Sequence, residues 1–149
     1  MTTERFDDYL VAVEHCQTEH RDKLLNALEQ LAITKAEISY TGGGDSGQVC
    51  EIETEPPFNK AALSQVHYTV LQPHYARDEQ GGFYALKAFE LSLWDALESF
   101  ALNAVSCKHR GWEINDGGDG VLTIDVTDRH IHLAHCEYYT EATHYEHEL

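Results

Sequence analysis

The residues with the clearest potential for chemistry lie near the end of the chain, where positions 129–149 hold five histidines, four glutamates and one cysteine in 21 residues. Imidazole, carboxylate and thiolate groups are the usual ligands of zinc. If this stretch begins as a strand, His130 and His132 share one face, because side chains alternate along a strand. Asp125 is then a candidate third ligand, and His135 falls on the opposite face. No HExxH motif completes a set, so we favour a solvated strand face and expect no metal.

A second candidate is Ser46, because residues 44–47 read GDSG, the tetrapeptide around the nucleophile of chymotrypsin-like proteases. Such a serine needs a histidine base and an orienting aspartate, and no such set is recognisable in the sequence. A phosphate loop is not supported either, since no lysine follows the glycines. Glycines permit positive φ, and Asp45 and Ser46 favour turns. The pattern therefore predicts a hairpin tip at 44–46, and a second turn at the acidic, glycine-rich residues 115–120.

Two helices are predicted from apolar residues that recur every three or four positions. The first stripe spans residues 6–31, with Thr2 or Thr3 as its expected N-cap. The second spans residues 86–107, and Gly111 follows as a stop signal.

Strands are predicted where apolar and polar residues alternate. One hairpin joins 36–41 to 48–54, another joins 121–127 to 130–136, and residues 63–71 favour a further strand. The order α-β-β-(β)-α-β-β predicts an α+β fold, with an antiparallel sheet of about four to five strands and two main helices packed on it. We expect one domain over residues 1–149, in which 140–149 form a flexible acidic tail.

The apolar residues of the two hairpins also predict their registers. In the first hairpin, Tyr40 is expected opposite Cys50, and Gly47 is expected to supply a bulge. In the second hairpin, a two-residue turn places Asp125 opposite His132 and Thr127 opposite His130.

The charge of the chain restricts the partners it can have. With 26 acidic and 10 basic residues, the formal net charge is -16, which repels nucleic acids and anionic membranes and attracts basic proteins. Solubility alone is the other explanation for this charge. The four cysteines form no CxxC pair, and the chain shows neither a signal peptide nor a long apolar run. We therefore expect a reduced cytoplasmic protein with buried thiols.

Three segments together resemble a family of small acidic bacterial domains of unknown function. They are GDSGQ at 44–48, GWEINDG at 111–117 with the GVLTIDV strand after it, and the ending EYYTEATHYEHEL. The family is met in bacterial chromosomes and mobile elements. The resemblance implies a shared domain and supplies no activity, cofactor or catalytic residue.

Two hypotheses of function follow. The preferred one is a non-enzymatic acidic domain that binds a basic protein, as a component or inhibitor of a bacterial defence or mobile-element system, or as a mimic of nucleic-acid charge. The alternative is an enzyme or metal-binding protein with a site where the two glycine-rich loops meet. We expect no catalytic residue and no cofactor, and the predicted binding residues are Asp45, Ser46, Gln48, Trp112, Glu113, Asn115 and Asp116.

Overall fold

The computed structural model describes residues 5–43, 46–112, 117–138 and 143–149. Its elements, in chain order, are α1 (Tyr9–Gln30), β1 (Lys35–Gly43), β2 (Ser46–Glu55), α2 (Lys60–Ser64), β3 (His67–Asp78), β4 (Gly81–Ser92), α3 (Leu93–Lys108), β5 (Gly118–Asp125), β6 (His130–Glu137) and β7 (Thr143–Glu148). Five strands form one antiparallel sheet in the order β2-β1-β5-β6-β7, and β3 pairs with β4 in a separate two-stranded ribbon. The predicted α+β fold is confirmed.

One face of the five-stranded sheet forms the core with the helices. Ile38, Leu122 and Ile131 are fully buried on this face, and they belong to the same cluster as Leu28 of α1 and Leu97 of α3. Each such side chain stabilises the fold by roughly 1.5–3 kcal/mol through burial alone. The opposite face is not part of this core, and we call it the open face.

Helix α1 begins three residues later than the apolar stripe predicts. Asp8 is its N-cap, since the carboxylate accepts hydrogen bonds from the backbone N–H of Leu10 at 2.8 Å and of Val11 at 3.4 Å. Phe6 lies before the helix and pairs with Tyr84 of β4 in an isolated bridge. The expected caps, Thr2 and Thr3, lie outside the described residues.

Helix α3 is shorter than predicted, because the first part of its apolar stripe belongs to strand β4. Ser92 caps the helix by accepting a hydrogen bond from the Asp95 N–H at 3.1 Å. Phe89 lies opposite Val70 in the ribbon. Apolar residues three apart share one face of a helix and lie on opposite faces of a strand, so the spacing favours a helix, and pairing with β3 overrides it. The helix predicted for residues 86–92 is wrong.

The strand predicted at 63–71 also starts later than expected. Asn59 caps the short helix α2 by accepting a hydrogen bond from the Ala62 N–H at 2.8 Å. Leu63 is buried within that helix, and β3 begins at His67.

The first hairpin has the predicted register only at its base. Ile38 lies opposite Ile52 as expected, but a bulge between Ser39 and Tyr40 places Tyr40 opposite Val49. Cys50 is therefore exposed, although the sequence predicts a buried thiol. Among the described residues, the last pair of this hairpin is Gly43 opposite Ser46, and Gly47 pairs with Gly42. The predicted tip at 44–46 and the predicted bulge at Gly47 are therefore wrong.

The second hairpin is shifted by two residues from its prediction. Asp125 lies opposite His130, and Thr123 lies opposite His132. The turn is longer than predicted, and the Arg129 N–H closes it by donating to the Val126 carbonyl at 3.2 Å, while the Val126 N–H donates to the carbonyl of Thr34 at 2.9 Å. The Val126 side chain is buried.

The end of the chain differs from the expected flexible tail. Strand β7 extends the sheet at the free side of β6, and the Leu149 N–H donates to the carbonyl of Ile131 at 2.8 Å. In register with β6, Tyr145 lies opposite His135, and His147 lies opposite Leu133. These side chains lie on the core face, which ties residues 143–149 to the domain.

Candidate functional site

The two glycine-rich regions meet in the structure. A Cβ atom on Gly117 would lie 2.0 Å from the carbonyl oxygen of Gly42, and a Cβ on Gly47 would lie 2.5 Å from the indole of Trp112. These glycines therefore allow the end of the first hairpin to pack closely against the segment around Trp112. The junction is a packed contact between the two regions.

The described members of the predicted binding set separate into two environments. Trp112 is 4% exposed, and its indole N–H donates to Ser106 Oγ at 3.3 Å. Ser46 and Gln48 are exposed on strand β2. Asp45, Glu113, Asn115 and Asp116 lie outside the described residues.

The open face of the sheet carries most of the structured carboxylates of the five strands. Because side chains alternate, the strands direct one set of residues away from the helices. Lys35 is the only lysine or arginine in the described residues of these strands. The carboxylates on the open face are those of Glu37, Glu51, Glu53, Glu55, Asp119, Asp125, Glu146 and Glu148.

Like charges are crowded at the β1–β2 end of this face. Glu37 lies directly opposite Glu53, and a hydrogen bond with Glu51 raises the pKa of Glu53. Lys35 neutralises part of this charge through an ion pair with Glu37 at 2.9 Å. A cleft of about 370 Å³ adjoins these groups, with Phe58 among its apolar lining residues.

The histidines predicted as metal candidates lie at the other end of the open face. His130 forms an ion pair with Glu148, and His132 Nδ1 lies 2.5 Å from the same carboxylate. The hydrogen bond with Glu148 raises the pKa of His132. Asp125 instead accepts a hydrogen bond from the Asp128 N–H at 3.1 Å, within its own turn. Among the described residues, the group with metal-ligand geometry includes none of His130, His132 and Asp125.

A different histidine cluster lies on the core side of the same strands. His109, at the C-cap of α3, stacks on His135 of β6 with ring centroids 4.5 Å apart. Its Nε2 atom lies 2.7 Å from Nε2 of His147 in β7. Glu137 Oε1 lies 3.6 Å from His109 Nδ1 and 3.5 Å from His135 Nε2. We call His109, His135, Glu137 and His147 the inner cluster.

His135 is the most enclosed member of the inner cluster. It is 2% exposed, and its Nδ1 lies 2.6 Å from the Tyr40 hydroxyl. The edge of the Trp112 indole also contacts the His135 ring, with centroids 5.7 Å apart. Since Trp112 packs on Gly47 as well, the inner cluster lies beside the junction of the glycine-rich regions.

Burial shifts the pKa of two histidines of the inner cluster. It lowers the pKa of His135, with nearby His109 adding to the effect. It also lowers the pKa of His109, to which His147 contributes. The lowered pKa values favour the neutral form of both rings, and a neutral imidazole keeps one nitrogen lone pair available.

The inner cluster was not predicted from the sequence as a group. The prediction that His135 lies on the opposite face from His130 and His132 is correct, but His147 was expected in a tail. The alternation in YEHEL was a usable signal for β7. His109 could not have been included, since no sequence pattern relates a helix C-cap to a distant strand.

A protein-family model matches residues 16–149, and its description is "Family of unknown function (DUF6878)". The chain belongs to this family. The match confirms the sequence-based recognition of an uncharacterised domain family. Searches of curated proteins and of solved structures found no match.

The DUF6878 match covers all seven strands, helices α2 and α3, and most of α1. Both the open face and the inner cluster therefore lie within the family domain. Among the described residues, no helix has the length and apolar character needed to cross a membrane.

Proposed function

We propose that this chain is a non-enzymatic acidic binding protein whose open face engages a basic surface on a partner protein. The observation that carries the proposal is the distribution of charge on that face. Carboxylates extend from Glu53 near one edge of the sheet to Glu146 at the other, and Lys35 is the only lysine or arginine in the described residues of the five strands.

The crowding of these carboxylates supports a role in binding. Like charges directly opposite one another destabilise a sheet, and Glu37 and Glu53 form such a pair. A lysine or arginine from a partner would relieve this repulsion when the complex forms. Electrostatic complementarity of this kind raises the association rate and selects basic partners. The net charge of -16 acts in the same direction over longer distances.

The same charge argues against direct binding of nucleic acids, whose phosphates are repelled. A partner that itself binds nucleic acid would instead meet carboxylates where it normally meets phosphates. Mimicry of nucleic-acid charge is therefore one form of the proposal. A role as a component or inhibitor of a defence or mobile-element system is the biological setting that we propose for it.

The experiment uses two variants that lose the same number of charges from different places. The first, E51Q/E53Q/E146Q, alters exposed residues of the open face. The second, E14Q/D22N/E29Q, alters exposed residues of α1. The probe is a fluorescently labelled peptide rich in lysine and arginine, and its affinity is measured by anisotropy over a series of salt concentrations.

We expect the open-face variant to bind about tenfold more weakly, since each exposed ion pair contributes up to about 1 kcal/mol. The α1 variant should retain its affinity to within about twofold. Affinity of the unchanged chain should fall as salt screens the charges. Equal weakening of both variants would show that net charge alone governs binding, and an affinity indifferent to salt would contradict the proposal outright.

A further inference from the structure

We propose that His109, His135 and Glu137 form a binding site for a transition-metal ion, with Zn²⁺ the ion that the ligands suit best. The three side chains come from the C-cap of α3 and from strand β6. This site is separate from the open face, and it does not depend on the partner-binding function proposed above.

The distances between the ligand atoms suit a single small ion. Glu137 Oε1 lies 3.5 Å from His135 Nε2 and 3.6 Å from His109 Nδ1. One ligand atom from each of the three residues falls within a group no wider than 4.8 Å. Zinc bonds of about 2.0–2.1 Å in a tetrahedral arrangement separate ligand atoms by roughly 3.4 Å. The two distances from Glu137 match this separation, while the stacked rings of His109 and His135, whose planes lie 25° apart, would have to turn for both lone pairs to reach one ion.

The imidazole of His135 supplies independent evidence for a ligand. Its Nε2 atom is buried and has no hydrogen-bond partner among the described residues. The contact with Glu137 at 3.5 Å is longer than a normal hydrogen bond. A buried polar atom without a partner destabilises the fold. A metal ion bound between His135 and Glu137 would satisfy this atom.

The remaining ring nitrogens are held in the manner expected of metal ligands. His135 Nδ1 lies 2.6 Å from the Tyr40 hydroxyl, and His109 Nε2 lies 2.7 Å from His147 Nε2. If these two nitrogens carry the protons and donate, then His135 Nε2 and His109 Nδ1 both present lone pairs toward Glu137. Hydrogen bonds from the outer nitrogen fix the orientation of ligand histidines in many metal sites.

The types of ligand restrict the identity of the ion. Two imidazoles and one carboxylate suit zinc and its neighbours in the first transition row. Calcium and magnesium prefer sites built from oxygen atoms, which the two histidines do not offer. Three protein ligands leave a fourth position for water or another small ligand.

The test uses the untagged, full-length chain after treatment with a chelator. Zn²⁺ is titrated in competition with a chromogenic chelator, and Co²⁺ is titrated separately because its visible absorption reports the coordination geometry. We expect one tight equivalent of Zn²⁺ per chain and a Co²⁺ spectrum typical of four ligands.

Variants separate the inner cluster from the exposed histidines. E137Q and H135Q should each lose the tight equivalent, while H130Q/H132Q on the open face should keep it. Glu137 is partly exposed, so E137Q provides a test if H135Q does not fold, which circular dichroism would show. Y40F should retain the stoichiometry and bind roughly 10–100-fold more weakly, because Tyr40 orients His135 without contacting the ion.

Three results would overturn the metal site. The first is the absence of a tight equivalent in the unchanged chain. The second is its loss in H130Q/H132Q, which would assign the metal to the open face. The third is its retention in folded E137Q.

Discussion

Strand β6 presents histidines on both of its faces, and the two sets are in opposite environments. His132 lies on the open face beside Glu146 and Glu148, and these carboxylates raise its pKa. His135, three residues later, is buried against Tyr40 and His109, and burial lowers its pKa. Alternation along one strand therefore shifts the pKa of the same residue type in opposite directions on the two faces.

The difference between these faces separates two kinds of chemistry. Charged groups that remain in water attract other charges over a distance, which suits binding of a basic partner. Neutral imidazoles that are shielded from water and held by neighbours suit coordination of a metal. A change in the interior, compared with a matched change at an exposed position, tests this difference.

The largest expected effect is that of W112A. Trp112 is 4% exposed and contacts Tyr40, His135 and the backbone at Gly47. Removing a buried aromatic side chain lowers the free energy of unfolding by about 3–5 kcal/mol. Urea denaturation measures this change, and Q48A on the exposed side of the same hairpin should stay within about 0.5 kcal/mol. Similar losses in the two variants would show that Trp112 is not a core residue.

A second effect concerns the buried histidine His20, whose pKa is lowered by burial from 6.5 to about 4. Above pH 6.5 this residue is neutral in both states and contributes no pH dependence. As the pH falls from 6.5 toward 4, His20 binds a proton in the unfolded chain before it does so in the folded chain. The free energy of unfolding therefore falls by about 3 kcal/mol. The difference in unfolding free energy between the unchanged chain and H20Q, measured at several pH values, isolates this contribution.

The control for His20 is H132Q, for which the sign is reversed. The folded-state pKa of His132 is raised above 6.5, so its contribution is present below pH 6.5 and is lost as the pH rises through the folded-state pKa. If the contributions of His20 and His132 to the free energy of unfolding changed with pH in the same direction, the assigned environments would be wrong.

A smaller effect is expected from adding a methyl group to the first hairpin. In G47A the new Cβ would lie 2.5 Å from the Trp112 ring, while in G43A it would meet nothing within 4 Å. Overpacking of this kind lowers stability by about 1–3 kcal/mol. G43A should be neutral or slightly stabilising, because alanine loses less backbone entropy on folding than glycine. Thermal melts of the two variants make the comparison, and equal melting temperatures would contradict the close contact between Gly47 and Trp112.

The sequence was sufficient to predict the fold class and the two hairpins of the main sheet. Local alternation marked the strands, and the paired apolar residues Ile38 and Ile52 gave the correct register at the base of the first hairpin. These features depend on neighbours in sequence or on a single turn. Periodicity detects them well for that reason.

Other features depend on tertiary contacts that periodicity does not contain. Leu86 and Phe89 fit a helix until β3 is present to pair with them. Val126 donates its N–H to Thr34, which is distant in sequence. His109 joins the inner cluster through the packing of α3 against the sheet. The sequence predicted the acidic character only as a net charge of the whole chain. The location of the carboxylates on one face depends on the order and pairing of the strands.

A pH titration of the histidine ring protons by NMR tests the two environments of β6 most directly. The chain is freed of metal, and each signal is assigned from a single histidine-to-glutamine variant. We expect a pKa above 6.5 for His132 and pKa values below 6.5 for His135 and His109. If His135 titrates at or above the pKa of His132, the separation between histidines of an acidic open face and the buried histidines of the inner cluster is wrong.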